Sequence, residues 1–210
     1  MYNAVTVKFG TKYSADFVNK IYNDLVALTK AEFKFYCYTD DPSGIDPAIN
    51  ILKSPGRPTL KRVWNKLRLF DPALGLKGKT YFFDLDVKLV KDPLEDLNDW
   101  SKLTVVESHW KVGKLYNRLS NYDVKMNSSV MAWDASNEEM HEYWEHFNSG
   151  LRDYYLRKYA GIDRFVVHED FEYSTFAHQY IQSWKYQRKV DYEPCVLTFE
   201  EIEVELDDLK

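Results

Sequence analysis

The sequence predicts an α/β fold in one domain, with a mostly parallel central sheet flanked by helices. Three observations predict it. The first fifty or so residues alternate strand, helix, strand, loop, strand, the pattern of parallel α/β architecture. The run Tyr81-Phe82-Phe83 is continuously apolar, as in a strand covered on both faces. The 210 residues, 45% hydrophobic and 29% charged, carry no internal repeat or linker and suffice to bury one sizeable core.

Taken in order, Val5, Val7 and Phe9 alternate with Thr6 and Lys8 until Gly10 breaks the run, which gives a first strand and a turn. Ser14 is placed to cap a helix whose inner face is Phe17, Ile21, Leu25 and Leu28. Strands follow at Phe33 to Tyr38, stopped by Thr39-Asp40-Asp41-Pro42, and at Ile49 to Leu52. Residues 54–58 are loop by composition. Leu60, Val63, Trp64, Leu67 and Phe70 have helical spacing, ended by Asp71-Pro72, with Lys61, Arg62, Lys66 and Arg68 assigned to the other faces.

Gly75 and Gly78 lead into the strand that opens at Thr80 and runs to Val90. A short helical turn is expected at Leu94 to Leu97, a strand at Leu103 to Val106 and a loop over 108–121. Val124 to Trp133 reads as a strand interrupted by small polar residues. Ser136 with Glu139 forms a capping box for a long helix, with Met140, Tyr143, Trp144, Phe147, Leu151 and Tyr154 facing inward. Residues 188–210 read as an acidic, loosely held tail.

Composition excludes several classes. A net charge of −5 argues against a dedicated nucleic-acid binder. Cys37 and Cys195 make no CxxC and no disulfide framework, as in a cytoplasmic protein. The N-terminus shows no signal pattern, and no apolar run approaches the ~20 residues that span a bilayer, so a cytoplasmic location is expected. Walker, GxGxxG and GxSxG motifs are all missing. The histidines have no recognisable metal spacing: His141 and His146 are five apart, and His109 and His178 have no partner in the sequence.

The strongest chemical signal is Phe83-Asp84-Leu85-Asp86-Val87. If the chain stays extended, Asp84 and Asp86 point to the same side. Two neighbouring carboxylates at the end of a buried strand persist with a cation between them, a shared proton or open water. Carboxylate oxygens suit a hard divalent cation with positions left for phosphate or water.

Five stretches in order, Val5–Leu28, Phe35–Asp41, Trp64–Phe70, Phe82–Val90 and Asn127–Trp133, resemble successive landmarks of nucleotide-sugar glycosyltransferases with the GT-A (Rossmann-like) fold. The resemblance is to the glycogenin-like and bacterial or viral sugar transferases. Phe-Gly-Thr-Lys-Tyr at 9–13 resembles the loop that wraps the nucleotide, and Trp64-Asn65-Lys66-Leu67 a Trp-x-Lys-Leu helix. Phe83-Asp84-Leu85-Asp86-Val87 resembles the Asp-x-Asp strand, and Asn127-Ser128-Ser129-Val130-Met131 an Asn-Ser-Gly-Val-Met segment. The resemblance implies Mn2+ or Mg2+ on Asp86, with Asp84 sharing the metal or holding the ribose. It implies a UDP- or GDP-type sugar donor near Gly10, Thr11, Tyr13 and Asp40, with Tyr13 stacked on the base. Lys66 is placed on the diphosphate or donor sugar, and Asn127 and Ser128 on sugar hydroxyls.

Gly161-Ile162-Asp163-Arg164 resembles the family's Gly-Asp-Gln helix start, which makes Asp163 the candidate catalytic carboxylate. The implied activity is hexosyl transfer, with retention of configuration, to a carbohydrate or other acceptor. One departure stands out. Where these families carry a His-Gly-x-Lys-Pro segment with a further metal ligand, this chain has Leu197-Thr198-Phe199-Glu200-Glu201. That leaves the third protein ligand unassigned, with Glu200 and His168 as the substitutes in view. The rival readings are a nucleotidyltransferase, and a non-catalytic nucleotide-sugar or carbohydrate-binding protein derived from a transferase.

Overall fold

The computed structural model describes every residue except 54–59, 110–123, 185–192, 200–204 and 210. Strands β1 (Tyr2–Lys8), β2 (Phe33–Thr39) and β3 (Asn50–Leu52) surround helix α1 (Ala15–Leu28) in sequence. A 3-10 helix, Arg62–Phe70, precedes β4 (Lys79–Phe83), β5 (Val87–Leu89), α2 (Pro93–Asp96), β6 (Thr104–Glu107) and β7 (Met126–Asp134). Helices α3 (Glu138–Asn148), α4 (Arg152–Lys158) and α5 (Ile162–His168) follow, then β8 (Ser174–Thr175), β9 (Ile181–Ser183) and β10 (Val196–Thr198).

The central sheet has the order β3-β2-β1-β4-β7-β6-β8. Its neighbours are parallel except for the two pairs made by β7, with β4 and with β6. This is the mixed, mostly parallel α/β sheet that the sequence predicts. A second sheet, β5-β10-β9, packs beneath it.

Strand alternation divides the core in two. Ala4, Tyr81 and Phe83 pack in one layer with Phe17, Ile21 and Leu25 of α1 and with the small sheet. Val5 and Phe82 pack in the other with the Arg62–Phe70 helix and the helices after β7. Ser14 caps α1 as expected, its hydroxyl accepting from the Asp16 amide.

Several expectations need correction. Residues 62–70 form a 3-10 helix buried from Trp64 to Phe70, so the faces given to Lys66 and Arg68 are interior ones. Each buried polar side chain there has an internal partner, as burial requires. Asn65 accepts from the Leu60 amide at 3.1 Å and donates to its carbonyl at 2.7 Å. Arg68 meets Asp71 at 2.7 Å and lies over Trp144, and Lys66 reaches into the site described below. The strand expected over 80–90 divides at Asp84–Asp86, and its second half joins the small sheet.

The long helix from 136 to 154 breaks at Ser149-Gly150, where Gly150 has φ +96°. Asn137 is the cap, and the Ser136 hydroxyl instead accepts from the Gly78 amide. Leu151 and Tyr154, expected inside, are 52% and 47% exposed, Leu151 as the residue that precedes the new helix α4 and Tyr154 within it. Within 188–210, β10 is buried in the small sheet and Leu209 is in the core, so these described parts are not loosely held. The loop expected over 108–121 lies outside the described residues apart from Ser108 and His109. No helix among the described residues is long and apolar enough to cross a membrane.

Asn65 is the fixing point of the helix that carries Lys66. Replacing it with alanine leaves the Leu60 amide and carbonyl without their side-chain partner in a buried place, and should cost about 1–3 kcal/mol. Urea unfolding measures this: a midpoint unchanged in Asn65→Ala would contradict the role.

Candidate active site

Phe83 is the last residue of β4, and the Asp84 amide makes one more bond across the sheet, to the Ser129 carbonyl at 2.8 Å. The chain then turns through buried Leu85. Asp84 and Asp86 therefore line one cleft by means of a bend, not by strand alternation.

The Lys66 ammonium stands 2.6 Å from Asp84 Oδ2, and donates also to the Ser128 carbonyl at 3.2 Å and the Ser128 hydroxyl at 3.3 Å. The Tyr13 hydroxyl donates to Asp86 Oδ2 at 2.9 Å. Burial pushes the Asp84 carboxyl up to about 7; Lys66 works against that rise, while Asp86 and Asp163 add to it. Burial, then the charge of Asp86, raises the Tyr13 hydroxyl well above its ordinary value, so it remains a donor.

The cleft has two lobes that share Val63, Lys66, Asp84 and Asp86. One, of about 530 Å³, is bounded by the end of β1 and the loop after it, with Lys8, Phe9, Lys12 and Tyr13. It combines three lysines with two aromatic rings. The other, of about 310 Å³, is bounded by β7 and the start of α5, with Asn127, Ser128, Asp163, Arg164 and Thr198. It offers hydroxyl, amide and carboxylate groups. The ammonium and the two carboxylates form the ridge between the lobes.

β7 is one continuous strand, and the small polar residues read from the sequence as an interruption mark a bulge in it. Pairing with β6 jumps from Met131 to Asn127 between Val105 and Val106. That leaves Ser128, Ser129 and Val130 out of register with β6, which turns Asn127 and Ser128 toward the cleft. The Asn127 side chain accepts from both the Ser129 amide and its hydroxyl.

Asp163 lies in the first turn of α5, and its Oδ1 is buried without a hydrogen-bond partner among the described residues. Gly161 just before it packs so tightly that a Cβ would stand 2.9 Å from Val63 Cγ2. Val63 and Gly161 were not assigned to the site from sequence. Val63 matched the apolar face of a helix, yet it is 44% exposed in the cleft.

The remaining assigned residues lie around the loop at 10–13. Gly10 has φ +73°, which favours glycine, and its amide donates to both oxygens of Asp40, at 3.3 and 3.1 Å. Thr11 is exposed beside it. Gly10, Thr11 and Asp40 are outside the lining of both lobes. His168 faces a neighbouring hollow and not the cleft, while Glu200 lies outside the described residues. His109 and His178, unpartnered in the sequence, stack on each other with ring centroids 4.1 Å apart, and His178 contacts Glu107 at 3.0 Å.

Among the described residues, no group of three or more His, Cys, Asp or Glu could hold a metal ion by itself. The donor set of Asp84 and Asp86 consists of hard oxygens only. It fits Mg2+ or Mn2+ bound together with phosphate and water, and does not fit a cation enclosed by protein ligands.

No protein-family model and no curated protein matches the sequence. Solved structures do match the fold. The galactosyltransferase LgtC, determined with donor and acceptor sugar analogues, superposes with TM-score 0.65 at 12% identity, over 93% of this chain and 86% of LgtC. The glycosyltransferase GlyE of Streptococcus pneumoniae TIGR4 gives TM-score 0.65 at 14% identity over 99% of this chain, which spans 56% of GlyE. A glycosyltransferase involved in glycosylation of the major capsid of PBCV-1 gives 0.61 at 9% identity, over 96% of this chain and 93% of that one. The chain has the GT-A fold that these structures share.

The raised Asp84 carboxyl has a consequence for stability. Between pH 4 and 7 the folded chain keeps a proton that the unfolded chain has lost. Stability should therefore fall as pH rises through that window. Asp84→Asn should flatten this slope by about 1–3 kcal/mol, as read by urea unfolding of metal-free protein at pH 4.5 and 7.5. Identical slopes in the two proteins would contradict the environment described for Asp84.

Proposed function

We propose that the chain is a glycosyltransferase that moves a sugar from a nucleoside diphosphate donor, of UDP or GDP type, to a carbohydrate or other acceptor. The observation that carries this reading is the ridge of Asp84, Asp86 and Lys66 between an aromatic, lysine-lined lobe and a lobe of hydroxyl, amide and carboxylate groups. A nucleoside suits the first, with Phe9 and Tyr13 as faces for the base. A sugar suits the second, with Asn127, Ser128 and Asp163 as hydrogen-bond partners. The diphosphate then lies over the ridge, where charge develops on it.

In the transfer, the bond from the anomeric carbon to the diphosphate oxygen breaks, and its electron pair leaves with the diphosphate. The acceptor oxygen bonds to the anomeric carbon and gives up its proton. Lys66 stabilises the leaving charge as a fixed ammonium. Asp86 and Asp84 would hold Mn2+ or Mg2+, which supplies further Lewis-acid stabilisation when bound. Asp163, with one oxygen unpaired among the described residues, lines the sugar lobe as a carboxylate for the positive charge on the anomeric centre or for the acceptor proton. Retention of configuration rests on the family resemblance alone.

The two-carboxylate donor set also supports a second reading, a protein that binds the nucleotide sugar without turnover. Calorimetric titration with UDP and GDP, with and without Mn2+, followed by donor-sugar hydrolysis, separates the readings. One nucleotide should bind only with the metal. Asp86→Ala should weaken that binding at least tenfold, and Asp163→Asn should cut turnover about 100-fold with binding changed less than threefold. If neither nucleotide binds with Mn2+ and Asp86→Ala changes nothing, the transferase reading fails. Binding without hydrolysis of any donor favours the binding protein.

A further inference from the structure

Beyond the sugar lobe, Arg164 also lines a neighbouring hollow of about 350 Å³, together with Lys158, Tyr159 and His168. Three of these four side chains carry or can take positive charge, on a chain whose net charge is −5. The Glu169 carboxylate, next to His168 in sequence, is already committed. It accepts from the Tyr159 hydroxyl, from Lys158 at 3.2 Å and from His146 at 3.2 Å. Burial works against its charge, but those bonds hold its carboxyl down to about 2.

The cations are also held in place. The Lys158 ammonium lies 5.1 Å from the Tyr154 ring centroid and 4.7 Å from that of Tyr159, yet the side chain is 41% exposed. The His168 ring is parallel to that of Tyr159, with centroids 5.8 Å apart. Tyr154 stands at the edge as an exposed aromatic face.

We propose that this hollow is a subsite for an anionic group on the acceptor. The acceptor is then an acidic glycan, with a carboxylate or phosphate on or next to the sugar that receives the transfer. The inference rests on the sugar-transfer reading and adds the acceptor class to it. Arg164 lines both the hollow and the lobe beside which the acceptor hydroxyl must sit. Cations already fixed by aromatic rings and by Glu169 lose little freedom on pairing with an anion. An exposed tyrosine beside them suits the apolar face of a sugar ring. A neutral glycan would gain the stacking and none of the charge pairing.

The test titrates the full chain with methyl glucuronoside, glucose 6-phosphate and methyl glucoside, followed by NMR shift changes, in parallel with UDP and GDP in Mn2+. At least one anionic sugar should bind five-fold or more tighter than methyl glucoside, and which one does so separates carboxylate from phosphate. The Lys158→Gln/His168→Gln variant should lose that preference while nucleotide affinity stays within twofold. Because the preference is read first on the wild-type chain, a variant that fails to fold leaves the comparison intact. Equal binding of all three sugars, including no binding, would overturn the subsite, as would a folded variant that keeps the preference. Failure of both nucleotides to bind, with the anionic preference intact, would count against sugar transfer and not against the anion site.

Discussion

A buried strand that ends in two carboxylates has to be supplied with positive charge, and that constraint organises this molecule. Asp84 and Asp86 follow four buried residues of β4. Lys66 supplies one ammonium, against Asp84. To bring it there, residues 62–70 fold as a tight, buried helix in which Asn65 fixes the entry and Arg68 is neutralised by Asp71. The β7 bulge completes the arrangement by giving the ammonium two acceptors on Ser128. Among the described residues, the neutral Tyr13 hydroxyl is what donates to Asp86, which supplies no positive charge there. A divalent cation with a diphosphate would complete the balance.

The same constraint places the ridge between two lobes of different chemistry. Lysines and aromatic rings lie on the side of β1, and small polar groups and a carboxylate on the side of β7 and α5. Ligands of open α/β sheets bind beyond the carboxyl ends of the parallel strands. β1, β2 and β4 all end toward this cleft region: Lys8 closes β1, Thr39 precedes Asp40, and Phe83 precedes Asp84.

Much of the fold was legible because local pattern and burial agree. The aromatic run at 81–83, the face of α1 and the early alternation of strand and helix each have one simple solution. The misreadings came where tertiary partners overrule the local pattern. An arginine in an amphipathic stretch ordinarily faces water; here Asp71 and Trp144 hold Arg68 inward, whereas the Trp-x-Lys-Leu resemblance had already put Lys66 at the donor. The helix from Ser136 onward looked continuous because Leu151 and Tyr154 keep the period, while α3 stops at Ser149-Gly150. Within the site, Asp84 and Asp86 were visible as a pair, and the small polar residues at 127–129 as an irregularity. Val63, its close approach to Gly161 and the bond from Tyr13 to Asp86 were not visible, since each depends on two segments distant in sequence. The hollow at Lys158, Arg164 and His168 likewise forms only when α4 and α5 pack together.

The central claim is that Asp84 and Asp86 hold a divalent cation jointly with a nucleoside diphosphate. Paramagnetic line broadening tests it most directly, with Mn2+ added to isotope-labelled protein in the presence and absence of UDP or GDP. The expected result is selective loss of the Asp84, Asp86, Ser128 and Tyr13 resonances, at Mn2+ concentrations at least tenfold lower with one nucleotide than without. Broadening centred elsewhere on the chain, or unaffected by either nucleotide, would contradict it.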